Sequence, residues 1–426
     1  MTPRATGILS GLALLSLLAA GCRSAPDAGT TVELWAMGRE GEVVEAMVPA
    51  FERLHPGAHV RVQQIPWSAA HEKLLTAYVG GAMPDLFQAG NTWLPELVAL
   101  DALEPLDARL AGSMVVDPAD YFPGILDPNL IDGVTWAVPW YVDTRLLFYR
   151  SDILAAAGRD TPPHTWTEWL ESMQRVKRAG RYAILLPMRE WQVPVILALQ
   201  QGADLLRDGD RYGNFRSPPF RTAFGFYLGL FAAELAPRAA DSQTANLYQD
   251  FARGDFVSLV TGPWNIGEFR RRLPPGLAGA WATAPMPSPT ADYPGVSLAG
   301  GASLAIFRGS PRKDVAWQLI EYLSAPARQT EFHRLTGDLP ARRSAWDEPA
   351  LAADPQAQAF RTQLGAVRAT PKIPEWEQIA ARIGRYVEAT VRGELTPDAA
   401  LAALDADVDA LLEKRRWLLE HGPRSR

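Results

Sequence analysis

From Val32 onward, short apolar runs alternate with stretches whose apolar residues fall at helical spacing. That alternation restricts the chain to architectures in which helices cover a parallel or mixed sheet on both faces. Val32-Glu-Leu-Trp35 reads as a strand, and Val44, Met47, Val48 and Phe51 then follow at i, i+3, i+4 and i+7, one face of a helix. Pro49 sits inside that helix and is expected to kink it or mark a restart. His59-Val-Arg-Val-Gln-Gln-Ile65 alternates like a second strand, and Asp85-Leu-Phe-Gln88 after Pro84 reads as a third.

The pattern changes at Trp136-Ala-Val-Pro-Trp-Tyr-Val-Asp143, an extended stretch broken by Pro139 that suits a chain leaving one sheet for another. A second lobe follows, with a helix start at Thr165-Trp-Thr-Glu168 and a strand at Val257-Ser-Leu-Val260. Gly295-Val-Ser-Leu-Ala-Gly-Gly301, followed by the strand Ser303-Leu-Ala-Ile-Phe307, reads as a second crossing, and Asp338-Leu-Pro-Ala341 as a third. Helical spacing returns at Trp376, Ile379, Ala380, Ile383 and Val387, and again at Leu401, Leu404, Val408 and Leu411. These breaks divide the body into one lobe of residues 31–142 plus 297–338 and another of 143–296 plus 339–424. At 426 residues the chain is long enough for two such cores.

Ahead of this body, Arg4 is the only charge before an apolar run of about 14 residues, Gly7 to Ala20. A helix that spans a bilayer takes about 20 residues, so the run reads as the core of a signal peptide, residues 1–21. Leu18-Ala19-Ala20-Gly21-Cys22 resembles the lipobox of bacterial lipoproteins, with Ala19 where the usual pattern has Leu. Cys22 is the only cysteine, so it has no internal disulfide partner, and lipidation accounts for both its position and its solitude. The polar stretch 22–30 then serves as a tether of about 27 Å at most. The expected location is the cell envelope, exported and anchored by lipid on the outer face of the cytoplasmic membrane, or in the periplasm or at the outer membrane.

The remaining landmarks occur in one order: Gly81-Ala-Met-Pro-Asp-Leu86, Gly133-Val-Thr-Trp-Ala-Val-Pro-Trp140, Thr165-Trp-Thr-Glu168, Phe251-Ala-Arg-Gly-Asp-Phe256 with Thr261-Gly-Pro-Trp264, Ala299-Gly-Gly301 and Gly337-Asp-Leu-Pro340. In this the chain resembles family 1 extracellular solute-binding proteins, the maltose- and trehalose-type receptors of ABC sugar importers, over about residues 32–412. The resemblance implies an α/β, two-lobed periplasmic-binding-protein-like fold of type II. Each lobe would be a mixed sheet flanked by helices, with hinge crossings between them and a ligand cleft that closes on the solute. It implies no catalysis and no cofactor. The expected partners are a sugar, membrane permease subunits and the lipid anchor, with the protein itself a monomer.

A sugar presents polar edges and apolar C–H faces, so its site needs aromatic plates together with carboxylates, amides or guanidinium groups. Loop residues at strand ends supply the candidates. Arg39 and Glu40 follow the first strand, where the family places sugar-contacting polar groups; a solvated helix start is the alternative. Trp67 follows the second strand, either lining a cleft or packing in the core. Asn91, Thr92 and Trp93 follow the third strand after Gly90. Tyr141 and Asp143 stand at the first crossing, with an Asp143–Arg145 ion pair as the alternative role for the carboxylate. Glu190 and Trp191 occupy the break Pro187 to Pro194. Trp264 in the Gly-Pro-Trp turn is the leading aromatic plate, with Asn265 beside it. Gly300 and Gly301 leave room for backbone amides to reach a solute. Lys372 and Trp376 complete the set, Trp376 alternatively as a core helix residue.

Composition narrows the rivals. A net charge of −6 gives no basic face for nucleic acid. The six histidines, His55, His59, His71, His164, His333 and His421, are scattered without metal-ligand spacing. The remaining alternatives are a receptor for a polyol, glycerol-phosphate, peptide or polyamine, and a secreted glycoside hydrolase using two of the carboxylates.

Overall fold

The computed structural model describes residues 29–177, 181–238 and 246–421. Cys22, the signal peptide and most of the tether lie outside these. The chain enters on strand β1 (Thr30–Met37) and turns directly into helix α1 (Gly38–Leu54), whose buried face is Val43, Val44, Met47, Val48 and Phe51. Helix α1 runs unbroken through Pro49, contrary to the expected restart. Pro49 is on the exposed side, where water can satisfy the carbonyl one turn back that lost its donor.

Strand β2 (Ala58–Ile65), helix α2 (Trp67–Val79) and strand β3 (Leu86–Gly90) follow, and β1 pairs in parallel with both strands. Strand β4 (Val138–Val142) then runs to the crossing. In the second lobe β5 (Leu146–Tyr149), β6 (Tyr182–Leu185), β7 (Phe256–Thr261) and β8 (Ala282–Ala284) form a four-stranded sheet in the order β8-β5-β7-β6. Strands β9 (Gly301–Ile306) and β10 (Leu339–Pro340) return to the first sheet, giving the order β10-β4-β9-β3-β1-β2. Both sheets are mixed, and each is backed by buried apolar side chains drawn from its helices.

Helix α3 (Trp166–Val176) starts where the sequence places it: the Thr165 hydroxyl accepts from the Glu168 N–H at 3.2 Å and caps the first turn. Helices α4 (Gln192–Gln200) and α5 (Trp264–Arg272) begin at the cleft-facing end of the second lobe. Helices α6 (Lys313–Ser324) and α7 (Pro326–Thr336) belong to the first lobe, packed on its sheet and on α1.

The boundary expected at 338/339 falls inside the first sheet, since Leu339 pairs with Val142 and Pro340 with Tyr141. Two-residue strands carry little periodic signal, and here the anchor is Trp346, buried with its indole N–H on the Pro340 carbonyl at 3.0 Å and its ring edge-on to Phe122. The chain is against the second sheet by helix α8 (Pro355–Gln363), where Thr283 Oγ1 donates to the Gln356 carbonyl and Gln363 accepts from the Met286 N–H. Helices α9 (Trp376–Val391) and α10 (Pro397–Leu411) bury the apolar positions that their spacing marks.

Candidate functional site

The C-terminal ends of β1, β2 and β3 open toward the second lobe, and each leads at once into a helical turn: Gly38, Trp67 and Asn91. Open α/β sheets bind ligands at such strand ends, where side chains of successive loops converge. Two cavities meet there. The larger, ≈ 350 Å³, is lined by Gly38, Arg39, Glu40, Trp67, Tyr141, Asp143, Trp264, Glu268, Thr336 and Asp338. The smaller, ≈ 160 Å³, shares Trp67, Tyr141 and Asp143 and adds Asn91, Thr92, Trp93, Arg145, Trp191 and the Leu298–Gly301 segment. Both lobes contribute to both cavities.

A relay of hydrogen bonds fixes the floor. Gln88, fully buried on β3, accepts from the Met37 N–H at 2.8 Å and donates to the Tyr141 hydroxyl at 2.9 Å. The Tyr141 hydroxyl in turn donates a hydrogen bond to Glu40 Oε1 at 3.0 Å, and the Trp67 indole N–H reaches the same oxygen at 3.4 Å. Burial raises the Glu40 carboxyl above its usual range, the donors from its own backbone, Tyr141 and Trp67 pull it back, and Asp143 pushes it up again. Burial lifts Asp143 too, opposed by its ion pair with Arg145. Asp338, 4% exposed, is pushed well up by burial first and then by Glu40 and Asp143. Tyr141 is held protonated by burial among these three carboxylates.

The aromatic walls come in pairs. Trp67 is 39% exposed and meets Trp93 edge-on at 5.7 Å, while His71, bonded to Glu96 at 2.8 Å, stacks on Trp93 from behind. In the second lobe Trp264 is half-buried, and the Arg145 guanidinium lies over its ring at 4.6 Å. One face of that ring is therefore already occupied by a cation that also holds Asp143. A Cβ on Gly262 would stand 1.9 Å from the Trp264 ring, so only glycine permits this fold-back. Gly300 is equally constrained: a Cβ there would meet the Asp143 carbonyl oxygen at 1.8 Å, and its own carbonyl accepts from the Asp143 N–H at 2.9 Å. Gly301, at φ +152°, lies 2.4 Å by the same measure from the Tyr141 carbonyl.

The structure thus gathers Arg39, Glu40, Trp67, Asn91, Thr92, Trp93, Tyr141, Asp143, Trp191, Trp264, Gly300 and Gly301 around one cleft. Asn91 is tied by its amide to the Ala299 carbonyl at 2.8 Å, and exposed Arg39 donates to the Leu335 carbonyl at 3.0 Å. Four other expected residues line neither cavity. Asn265 is buried, accepting from the Tyr248 hydroxyl at 3.0 Å and donating to Thr261 Oγ1 at 2.8 Å. Lys372 donates to Asp127 Oδ1 at 2.7 Å and to two carbonyls. Trp376 is core, edge-on to Trp191 at 5.5 Å, and the Glu190 N–H turns back to the Pro187 carbonyl. Sequence reading passed over Asp338, Thr336, Glu268, Gln192, Thr370 and the lining role of Arg145. The Gly337-Asp-Leu-Pro340 landmark held the one usable signal, an acidic residue beside a glycine at a crossing.

Among the described residues no helix is long and apolar enough to cross a membrane, and no group of three or more His, Cys, Asp or Glu side chains is placed to hold a metal ion. The family model for bacterial extracellular solute-binding proteins matches residues 37–330. The sugar-binding protein MalE of Xanthomonas citri is 50% identical, with 92% of this chain and 100% of that one superposed at a TM-score of 0.88. A solute-binding protein of Thermotoga lettingae, solved with α-D-tagatose, is 27% identical over 90% of this chain and 100% of its own, at a TM-score of 0.79. The diacetylchitobiose-binding protein DasA of Streptomyces coelicolor is 27% identical over 380 residues, 88% of each chain.

Proposed function

The chain belongs to the bacterial extracellular solute-binding protein family, and on that premise we propose that it captures a di- or oligosaccharide between its lobes and hands it unchanged to the permease of an ABC importer. The observation that carries this reading is the composition of the cleft: indole rings and carboxylates from both lobes face one continuous space. Indoles cover the C–H faces of a pyranose, and carboxylates accept from its hydroxyls. A solute touching both walls binds the closed form better than the open one, and that difference is what a permease can sense. Cys22 supplies the lipid that keeps the monomeric body near its permease; Cys22→Ser is expected to move the protein from the membrane to the soluble fraction.

A melting-point screen of mono- and oligosaccharides tests the ligand class. A receptor with micromolar affinity, about −8 kcal/mol, gains ~2.7 kcal/mol of stability at a hundredfold ligand excess over Kd. A panel that leaves the melting point unmoved at millimolar concentration removes the saccharide reading.

A further inference from the structure

We propose that the saccharide taken by this cleft carries a protonated amino group, seated in the larger cavity against the Glu40 and Asp338 carboxylates. The inference rests on the saccharide reading and narrows it.

Its basis is an accounting of charge around the larger cavity, which Glu40, Asp143, Glu268 and Asp338 all line. Asp143 is neutralised by Arg145. Glu268, on α5, is paired with both Arg271 and Arg272. Glu40, on α1, has only the neutral donors Tyr141 and Trp67 and its own backbone. Asp338, just past α7, has the Thr336 hydroxyl, and behind it the His333 ring nitrogen takes up the Asp338 carbonyl rather than its carboxylate. Arg39 is the remaining cation on the cavity wall. Its guanidinium is committed to the Leu335 carbonyl and lies 3.9 Å from Glu42, outside the cavity. Among the described residues, two mutually repelling carboxylates, Asp338 buried and Glu40 partly so, therefore face one cavity with no cation ion-paired to either, the charge of Arg39 only partly offsetting Asp338. Leaving such charges unpaired is costly, and an ammonium group relieves both at once. A neutral hydroxyl donates one proton to one carboxylate and leaves the repulsion in place.

The same carboxylates set the sign of a pH effect. Burial raises Glu40, Asp143 and Asp338, and repulsion from neighbouring carboxylates raises Glu40 and Asp338 further, so lowering the pH fills these sites with protons that compete with an ammonium. Affinity for an amino sugar then rises with pH for as long as the amine itself stays protonated. A neutral sugar gains nothing from that deprotonation.

The test is calorimetric titration of the mature protein with matched pairs, each neutral mono- or disaccharide beside its 2-amino-2-deoxy counterpart, glucose with glucosamine and cellobiose with the glucosamine disaccharide among them. The expected result is an amine-bearing member that binds at least about tenfold tighter than its hydroxyl partner at about pH 6.5, with the advantage shrinking toward pH 5. Glu40→Gln and Asp338→Asn should each erase most of that advantage while the melting point stays at or above the parent value. A tightest ligand that is neutral, or an advantage unchanged in both variants, overturns the proposal and leaves the saccharide reading standing. No binding by any saccharide overturns both.

Discussion

Gly300→Ala is the sharpest probe of how the cleft is built. The added methyl would begin 1.8 Å from the Asp143 carbonyl oxygen, which is backbone and has no rotamer to escape into. Ordinary contact begins at about 3.4 Å, so the two crossing segments must part by about 1.6 Å. The Asp143 N–H to Gly300 carbonyl bond, 2.9 Å in the native chain, then stretches to about 4.5 Å and is lost. Overpacking costs about 1–3 kcal/mol and the lost bond about 1 kcal/mol, together about 2–4 kcal/mol. With an unfolding entropy of about 2.1 cal/mol/K per residue, that lowers the melting point of a chain this size by roughly 2–5 °C. The displaced strands carry Asp143, Gly301 and Tyr141, so saccharide affinity falls by at least about tenfold. Scanning calorimetry and ligand titration read the two effects separately. Gly276→Ala is the control, because nothing lies within 4 Å of a Cβ there. If Gly300→Ala melts within a degree of the parent and binds as tightly, the close approach of the crossings is not a structural requirement.

Three further outcomes follow from the same geometry. Trp264→Ala removes a cleft-facing ring and the platform for Arg145, and should weaken saccharide binding about thirtyfold, ~2 kcal/mol, with the fold intact; titration that finds unchanged affinity takes Trp264 out of the site. Asn265→Ala leaves Tyr248 and Thr261 without partners and should cost about 1–3 kcal/mol of stability while affinity stays within about twofold; lost affinity at an unchanged melting point would reverse that assignment. The Asp338 carboxyl titrates higher in the folded chain than in the unfolded one, so the folded state binds the proton more tightly and this group's contribution to stability declines as pH rises above about 4. Asp338→Asn should therefore melt higher than the parent near pH 7 and lose that advantage toward pH 4, a series measured by thermal unfolding; a variant that melts lower near pH 7 contradicts the cause assigned to the shift.

How far the sequence carried the reading depends on what each residue advertises. Strand β2 was legible because His59 to Ile65 alternates along most of its length, β1 only through its short apolar run Val32–Trp35, and α9 and α10 because an apolar stripe persists over several turns. Strand β10 was not, since a two-residue strand has no period and its place is set by Val142 and Tyr141, about 200 positions away. In the site, loop residues directly after strands were found because strand direction aims them at the cleft. Asn265 failed for a related reason: it sits one residue after Trp264 on α5, and a helix turns about 100° per residue, so neighbours in sequence face different surroundings. Gln88 was passed over because it reads as a strand interior position. A fully buried amide between apolar neighbours is itself a sign of a hydrogen-bond relay, but burial is visible only after folding.

The crossing at Asp143–Gly300 also limits how the lobes can move. Segments 142–146 and 297–301 lie side by side, joined by Asp143 N–H to Gly300 and by the Ser297 hydroxyl to the Arg145 carbonyl at 2.6 Å, and they approach so closely that even an added Cβ on Gly300 would stand 1.8 Å from the Asp143 carbonyl. A paired ribbon of this kind retains one soft degree of freedom, flexure across its face, while shear along its length meets the backbone head-on. In the capture cycle proposed above, opening and closing then reduce to rotation about an axis beside the binding groups, and the walls are expected to return to the same register at each cycle.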